Sequence, residues 1–222
     1  MDSNQLSTTS KGITLPKGRD DLKHCPVAMR LYDHAVATAG FPMEAVAVLA
    51  ATDTGIRSAS ESVRSKSVTV KSFSKDYGEY TLSAVVLAHL TMVEDMLNVS
   101  RPLKPDTMAA LAKKMARMLL DDDMDWNLAD IRIVADRLAD GDAGQVFGGL
   151  TTPLVRKAFL EYMCEKMDAF TEKRNEEAWR YNEIWDQGID TRRSSVDPRA
   201  EIRKHREAAH DYQLRKYKEG KP

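Results

Sequence analysis

Cysteine is nearly missing from this sequence. Two residues, Cys25 and Cys164, stand in 222. A disulfide framework is thereby excluded as the organising principle, and the count suits a reducing compartment. Neither cysteine takes part in a metal-ligand spacing, so both are expected to serve as ordinary core packing. Long apolar runs are also missing. The longest, Ala45 to Ala51, falls far short of the roughly 20 residues a membrane helix needs. The polar start, MDSNQLSTTSKG, has no apolar stretch of the secretory kind. The expectation is a soluble protein. An excess of charge of one sign is missing too. The chain has 33 Lys and Arg against 34 Asp and Glu, a net of −1. That argues against a whole-protein polyanion binder and leaves room for a local basic patch.

Signatures of chemistry are equally scarce. Gly141, Gly144, Gly148 and Gly149 crowd one turn. They form neither G-x-x-x-x-G-K-[ST] nor a G-x-G-x-x-G between strand and helix, so a phosphate cradle is excluded. A turn that lets two helices cross closely is the better reading. Asp121, Asp123 and Asp125 open like a calcium loop. The sixth position is Trp126, where glycine is needed, and the twelfth is Arg132, where the bidentate glutamate belongs. A solvated turn anchored by Trp126 is expected instead. His24 and His34 lie ten residues apart and are not read as a ligand pair. His89 falls on an apolar helical face and is read as a core histidine. Catalytic residues, metals and cofactors are therefore assigned to none of these positions.

What is present is helical periodicity. Pro26 to Ala39 begins with proline at a first helical position and stops before Gly40. Pro42 to Ala51 is small and apolar. Glu79 to Asn98 carries Leu82, Val85, Val86, His89, Leu90, Val93, Met96 and Leu97 at three- and four-residue steps, a wide buried face. A helix from Asp106 buries Met108, Leu111, Ala112, Met115, Met118 and Leu119. Asn127 caps a helix from Leu128 to Ala139, with Asp130 at N3. That helix turns Leu128, Ile131, Val134, Ala135 and Leu138 inward, and Asp130, Arg132, Asp136 and Arg137 outward. Thr152 before Pro153 predicts an N-cap and a last long helix. Its inward residues are Leu154, Val155, Ala158, Phe159, Tyr162, Met163 and Met167.

The ends differ from this body. Residues 1–22 are polar and are expected to be mobile. Residues 52–76 are Ser-rich and basic, and SVTVKSF within them allows a short β-hairpin arm. After Glu172 the chain is charged but interrupted by Trp179, Tyr181 and Trp185, a candidate aromatic edge for a partner. From Gly188 onward ten Lys or Arg stand against six Asp or Glu, a net of +4. Arg192, Arg193, Arg203, Lys204, Arg206, Arg215, Lys216 and Lys218 are the candidate nucleic-acid or partner contacts there.

Residues 76–170 resemble a loose group of uncharacterised small helical proteins encoded by bacterial phages and mobile elements. The matching positions are Leu128, Asp130, Ile131, Gly141, Gly144, Phe147, Leu154, Phe159 and Tyr162. The turn departs from the group, where Tyr-Gly and an acidic residue follow; here it reads Asp142-Ala143-Gly144-Gln145. No catalytic residue carries over. The resemblance implies replication, plasmid or phage functions in a bacterial cytoplasm.

The sequence therefore predicts an all-α protein, an irregular or orthogonal bundle of five to six helices. Residues 23–187 form the helical domain, which ends in a long charged C-terminal helix, and 188–222 form a basic tail. The expected role is a non-enzymatic adaptor of a mobile element, a DNA-replication accessory that contacts a helicase or nucleic acid. The alternative is a virion-associated protein that assembles through its long C-terminal helix.

Overall fold

The structure is a computed structural model. It describes residues 13–52, 55–97, 99–144 and 149–191, with side chains as far as Tyr181. Among the described residues the protein is all-α: a short 3-10 turn at Arg19–Leu22 precedes seven helices. They are α1 (Pro26–Ala37), α2 (Met43–Thr52), α3 (Ala59–Arg64), α4 (Val70–Leu97), α5 (Pro105–Asp121), α6 (Leu128–Asp140) and α7 (Thr152–Thr191). No described helix is long and apolar enough to cross a membrane.

α4 is the axis of the bundle, with α5 and α6 packed along it and α1 and α2 covering another side. Its apolar face, Leu82, Val85, Val86, Leu90 and Val93, is buried as the spacing predicts, but Met96, expected on the same face, is 62% exposed near the helix end. Each such side chain stabilises the fold by roughly 1.5–3 kcal/mol relative to exposure. α2 is buried on every side from Ala45 to Ala50, because its small side chains let neighbours approach closely. His89 is buried, its Nδ1 2.9 Å from the Val85 carbonyl. The core reaches further toward the N-terminus than the polar composition suggests. Leu22 is buried, and Ile13 packs against the same cluster.

Residues 52–76 correct the hairpin expectation, since the described part of this stretch holds no strand. Ser58 caps α3, its Oγ accepting the Glu61 N–H at 3.2 Å. Glu61 in turn accepts the Arg57 N–H at 2.6 Å. The S-x-x-E signature of a helix start was present in the sequence. The β-branched run that follows does pair, but over one bridge only, Thr69 with Asn127. Val70 donates to the Trp126 carbonyl at 2.7 Å and Leu128 to that of Val68 at 3.0 Å. This bridge ties the entry of α4 to the entry of α6. α4 begins at Val70 rather than Glu79, and Gly78 breaks it with φ 88° and ψ 157°. A side chain there would be strained, so glycine sets the bend between the two limbs.

α6 follows the prediction closely and ends at Gly141 in a left-handed conformation. Within the glycine-rich turn, Gly149 meets the backbone: a Cβ would lie 2.4 Å from the Arg101 carbonyl oxygen. The close approach at this glycine is to the loop before α5, not between two helices as expected. The start of α7 shifts by one residue. Thr151 is its cap, its carbonyl accepting the Val155 N–H at 3.0 Å. A boundary between two compact units falls between Lys173 and Arg174, within α7.

Candidate functional site

Asp130 corrects the outward placement read from periodicity. It is wholly buried and gathers four donors. Its Oδ1 accepts the Ser62 hydroxyl and the Tyr162 hydroxyl, each at 2.5 Å. Its Oδ2 accepts the Asn127 backbone N–H at 2.6 Å and the Lys166 ammonium at 2.6 Å. Asn127 adds Nδ2 bonds to the carbonyl and hydroxyl of Ser62, both at 3.0 Å. Three helices converge here for local reasons. Asp130 is at N3 of α6, where a carboxylate reaches back to the cap residue. Tyr162 and Lys166 lie one helical turn apart on α7 and share a face. Ser62 sits on the inward side of α3.

The electrostatics make this cluster a fastener. A carboxylate has about four acceptor positions, and all four are taken. Lys166 is 3% exposed. It is balanced by Asp130, donates to the Asp125 carbonyl at 2.5 Å, and lies 5.8 Å from the Trp126 ring centre. Burial raises the Tyr162 phenol well above its ordinary pKa of 10.0, and the negative charge and hydrogen bond of Asp130 add to the shift. Tyr162 therefore stays a protonated donor. Neither it nor Asp130 is available as a base, because each is committed to the other. Arg137 stacks 5.3 Å from the Tyr162 ring centre and grips Glu165 with both guanidinium nitrogens, at 2.5 and 2.9 Å.

Beside this cluster opens a pocket of about 650 Å3. It is lined by Ser65, Ser67 and Thr69, by Met163, Met167 and Phe170 of α7, and by Asp122, Asp123 and Asp125. Met167 and Phe170 are each 54% exposed, which corrects the inward assignment of Met167. Two polar groups among its lining residues have bonding capacity left, and both are buried. Lys166 uses two of its three N–H groups on protein oxygens. The Ser67 hydroxyl is buried without a hydrogen-bond partner. Asp122 is held back, accepting the Met124 N–H at 3.1 Å and the Trp126 indole N–H at 2.9 Å. Asp123 and Asp125 are exposed. Trp126 anchors this turn in the core as expected. No group of three or more His, Cys, Asp or Glu among the described residues is arranged to hold a metal ion.

A larger cleft, about 820 Å3, lies among α1, α4 and α5 over Ala84, Ala88, Ala109 and Ala112. Two of its lining arginines are already paired, Arg30 with Asp95 and Arg117 with Glu79.

Trp179 and Tyr181 are 76% and 61% exposed on α7. Trp185 falls within α7, but its side chain lies outside the described residues. So do the basic positions Arg192, Arg193, Arg203, Lys204, Arg206, Arg215, Lys216 and Lys218. Cys25 is buried, whereas Cys164 is exposed rather than in the core. The cluster at Asp130 was missed because its partner Lys166 is distant in the chain. The legible hint was the acid at N3 after Asn127. The chain matches no family model, and no curated protein or solved structure matches it.

Proposed function

We propose that this chain is a non-enzymatic binding protein that engages a protein partner through the open face of α7. The observation that supports the reading most is the pair Met167 and Phe170, large apolar side chains left half-exposed at the edge of a pocket. Scattered surface apolar residues need no explanation, but a cluster rimmed by polar groups marks an interaction site. The saturated state of Asp130 supports the same reading, since the most buried titratable cluster in the described protein has no free acid or base. A role as an adaptor of a phage or mobile element, assisting DNA replication by contact with a helicase, rests on the resemblance over residues 76–170. Nucleic-acid contact through residues 188–222 rests on the +4 balance of that stretch. Site-specific photocrosslinking in the host tests the binding face. A photoreactive residue at position 170 is expected to capture a partner, whereas the same residue at exposed Lys113 is not. Equal labelling at both positions overturns the assignment of the face.

A second reading, self-assembly through the C-terminal helix, is favoured by the exposed Trp179 and Tyr181. Light scattering that shows larger species with rising concentration, lost in Trp179→Ser, supports it over the first.

A further inference from the structure

The pocket beside Lys166 also constrains the chemistry of what it binds. We propose that it takes a basic amphipathic helix of a partner protein, apolar residues against Met163, Met167 and Phe170, basic residues against Asp123 and Asp125. The inference rests on the binding reading above and narrows it to one kind of partner.

Two observations point the same way. The apolar wall lies at positions i, i+4 and i+7 of α7, so it forms a ridge along a helix. Such a ridge is matched by another helix that lays its own apolar stripe beside it. Methionine suits that use, because its flexible, polarisable side chain adapts to varied partner surfaces. The second observation is charge. Lys166, the cation lining the pocket, is already balanced by Asp130. The charges left over among the lining residues are the exposed carboxylates of Asp123 and Asp125, with Asp122 held back, while the Lys173 ammonium sits at the Val63 side, 3.0 Å from its carbonyl. An acidic ligand would meet like charges, and a cationic one is attracted and oriented.

The test uses the full chain and three labelled 18-residue probe peptides. One is a Leu/Lys amphipathic helix, one its Leu/Glu counterpart, and one a scrambled Leu/Lys sequence of the same composition. Fluorescence anisotropy is expected to show the Leu/Lys helix binding at least about tenfold more tightly than the other two. Asp123→Asn with Asp125→Asn should remove most of that preference and flatten its salt dependence. Met167→Glu with Phe170→Glu should abolish binding, and circular dichroism should report an unchanged fold because both residues are exposed. Equal affinity for the Leu/Lys and Leu/Glu helices, both lost in the Met167→Glu/Phe170→Glu variant, overturns the basic partner and leaves the binding face standing. Equal affinity for the scrambled peptide overturns the helical partner. No binding by any probe overturns this inference, and with photocrosslinking silent at position 170 the binding face falls too. A dimer in light scattering that the Met167→Glu/Phe170→Glu variant dissolves overturns it in favour of a second copy of this chain.

Discussion

Lys166 and Met167 are adjacent residues of α7, and each sits where the other would be expected. Lys166 is 3% exposed and Met167 54%. The helix turns by about 100° per residue, so neighbours face different surroundings, and the surroundings decide. Lys166 points at a buried carboxylate that without it would be an uncompensated charge. Met167 lines a pocket shared with serine, threonine and aspartate side chains and stays half-exposed. Charge here holds the fold together, and apolar surface is left for a partner. The two regions share a border, so substitutions in each should separate stability from binding.

The largest effect is expected at the ion pair. Lys166→Met or Asp130→Ala leaves one charge buried alone and should lower unfolding free energy by about 3–5 kcal/mol, read from urea denaturation. Asp130→Ala should cost at least as much as Lys166→Met, since it also strands Ser62, Tyr162 and the Asn127 N–H. Next comes Tyr162→Phe, which removes one donor to a charged acceptor and should cost about 1.5–3 kcal/mol. That variant also carries a pH signature. The folded phenol titrates above the unfolded value of 10.0, so the unfolded chain loses its proton first. The stability from Tyr162 is therefore complete below pH 10 and declines as pH rises beyond it. Wild type should lose stability above pH 10 more steeply than Tyr162→Phe, by the slope of one proton. A smaller effect is expected from Glu165→Gln. Arg137 holds Glu165 below its ordinary pKa, chiefly through their hydrogen bonds, but Glu165 is 44% exposed. Solvent and salt limit such a pair to about 0.2–1 kcal/mol, and what there is should fade as pH falls below 4.5. The smallest change in stability is expected from Met167→Glu with Phe170→Glu, within about 0.5 kcal/mol, although the same variant should lose the peptide.

The helices were legible in the sequence because periodicity reports which face meets the core. The apolar positions from Leu82 to Val93, from Met108 to Leu119 and from Leu128 to Leu138 read correctly, whereas Met96, one turn further along α4, is 62% exposed. Boundaries with a strong chemical signal, Pro26 and Asn127, also read correctly. The sequence was less informative where burial is set by a distant partner. Asp130 and Lys166 carry charge and so fall on the polar side of any helical wheel. Only the fold brings them within 2.6 Å. Met167 illustrates the converse, an apolar residue assigned to the core because composition cannot show that the facing wall is missing. The serine-rich stretch hid α3, although Ser58 and Glu61 mark its start, because the alternation of valine and polar residues after it suggested strand.

Urea unfolding of Lys166→Met and of the Met167→Glu/Phe170→Glu variant, measured side by side with wild type, tests the division of labour most directly. The expected result is a loss of about 3–5 kcal/mol for the first and a change within about 0.5 kcal/mol for the second. Equal losses in the two, or a stable Lys166→Met beside an unfolded double variant, would show that the apolar face holds the fold and the ion pair does not.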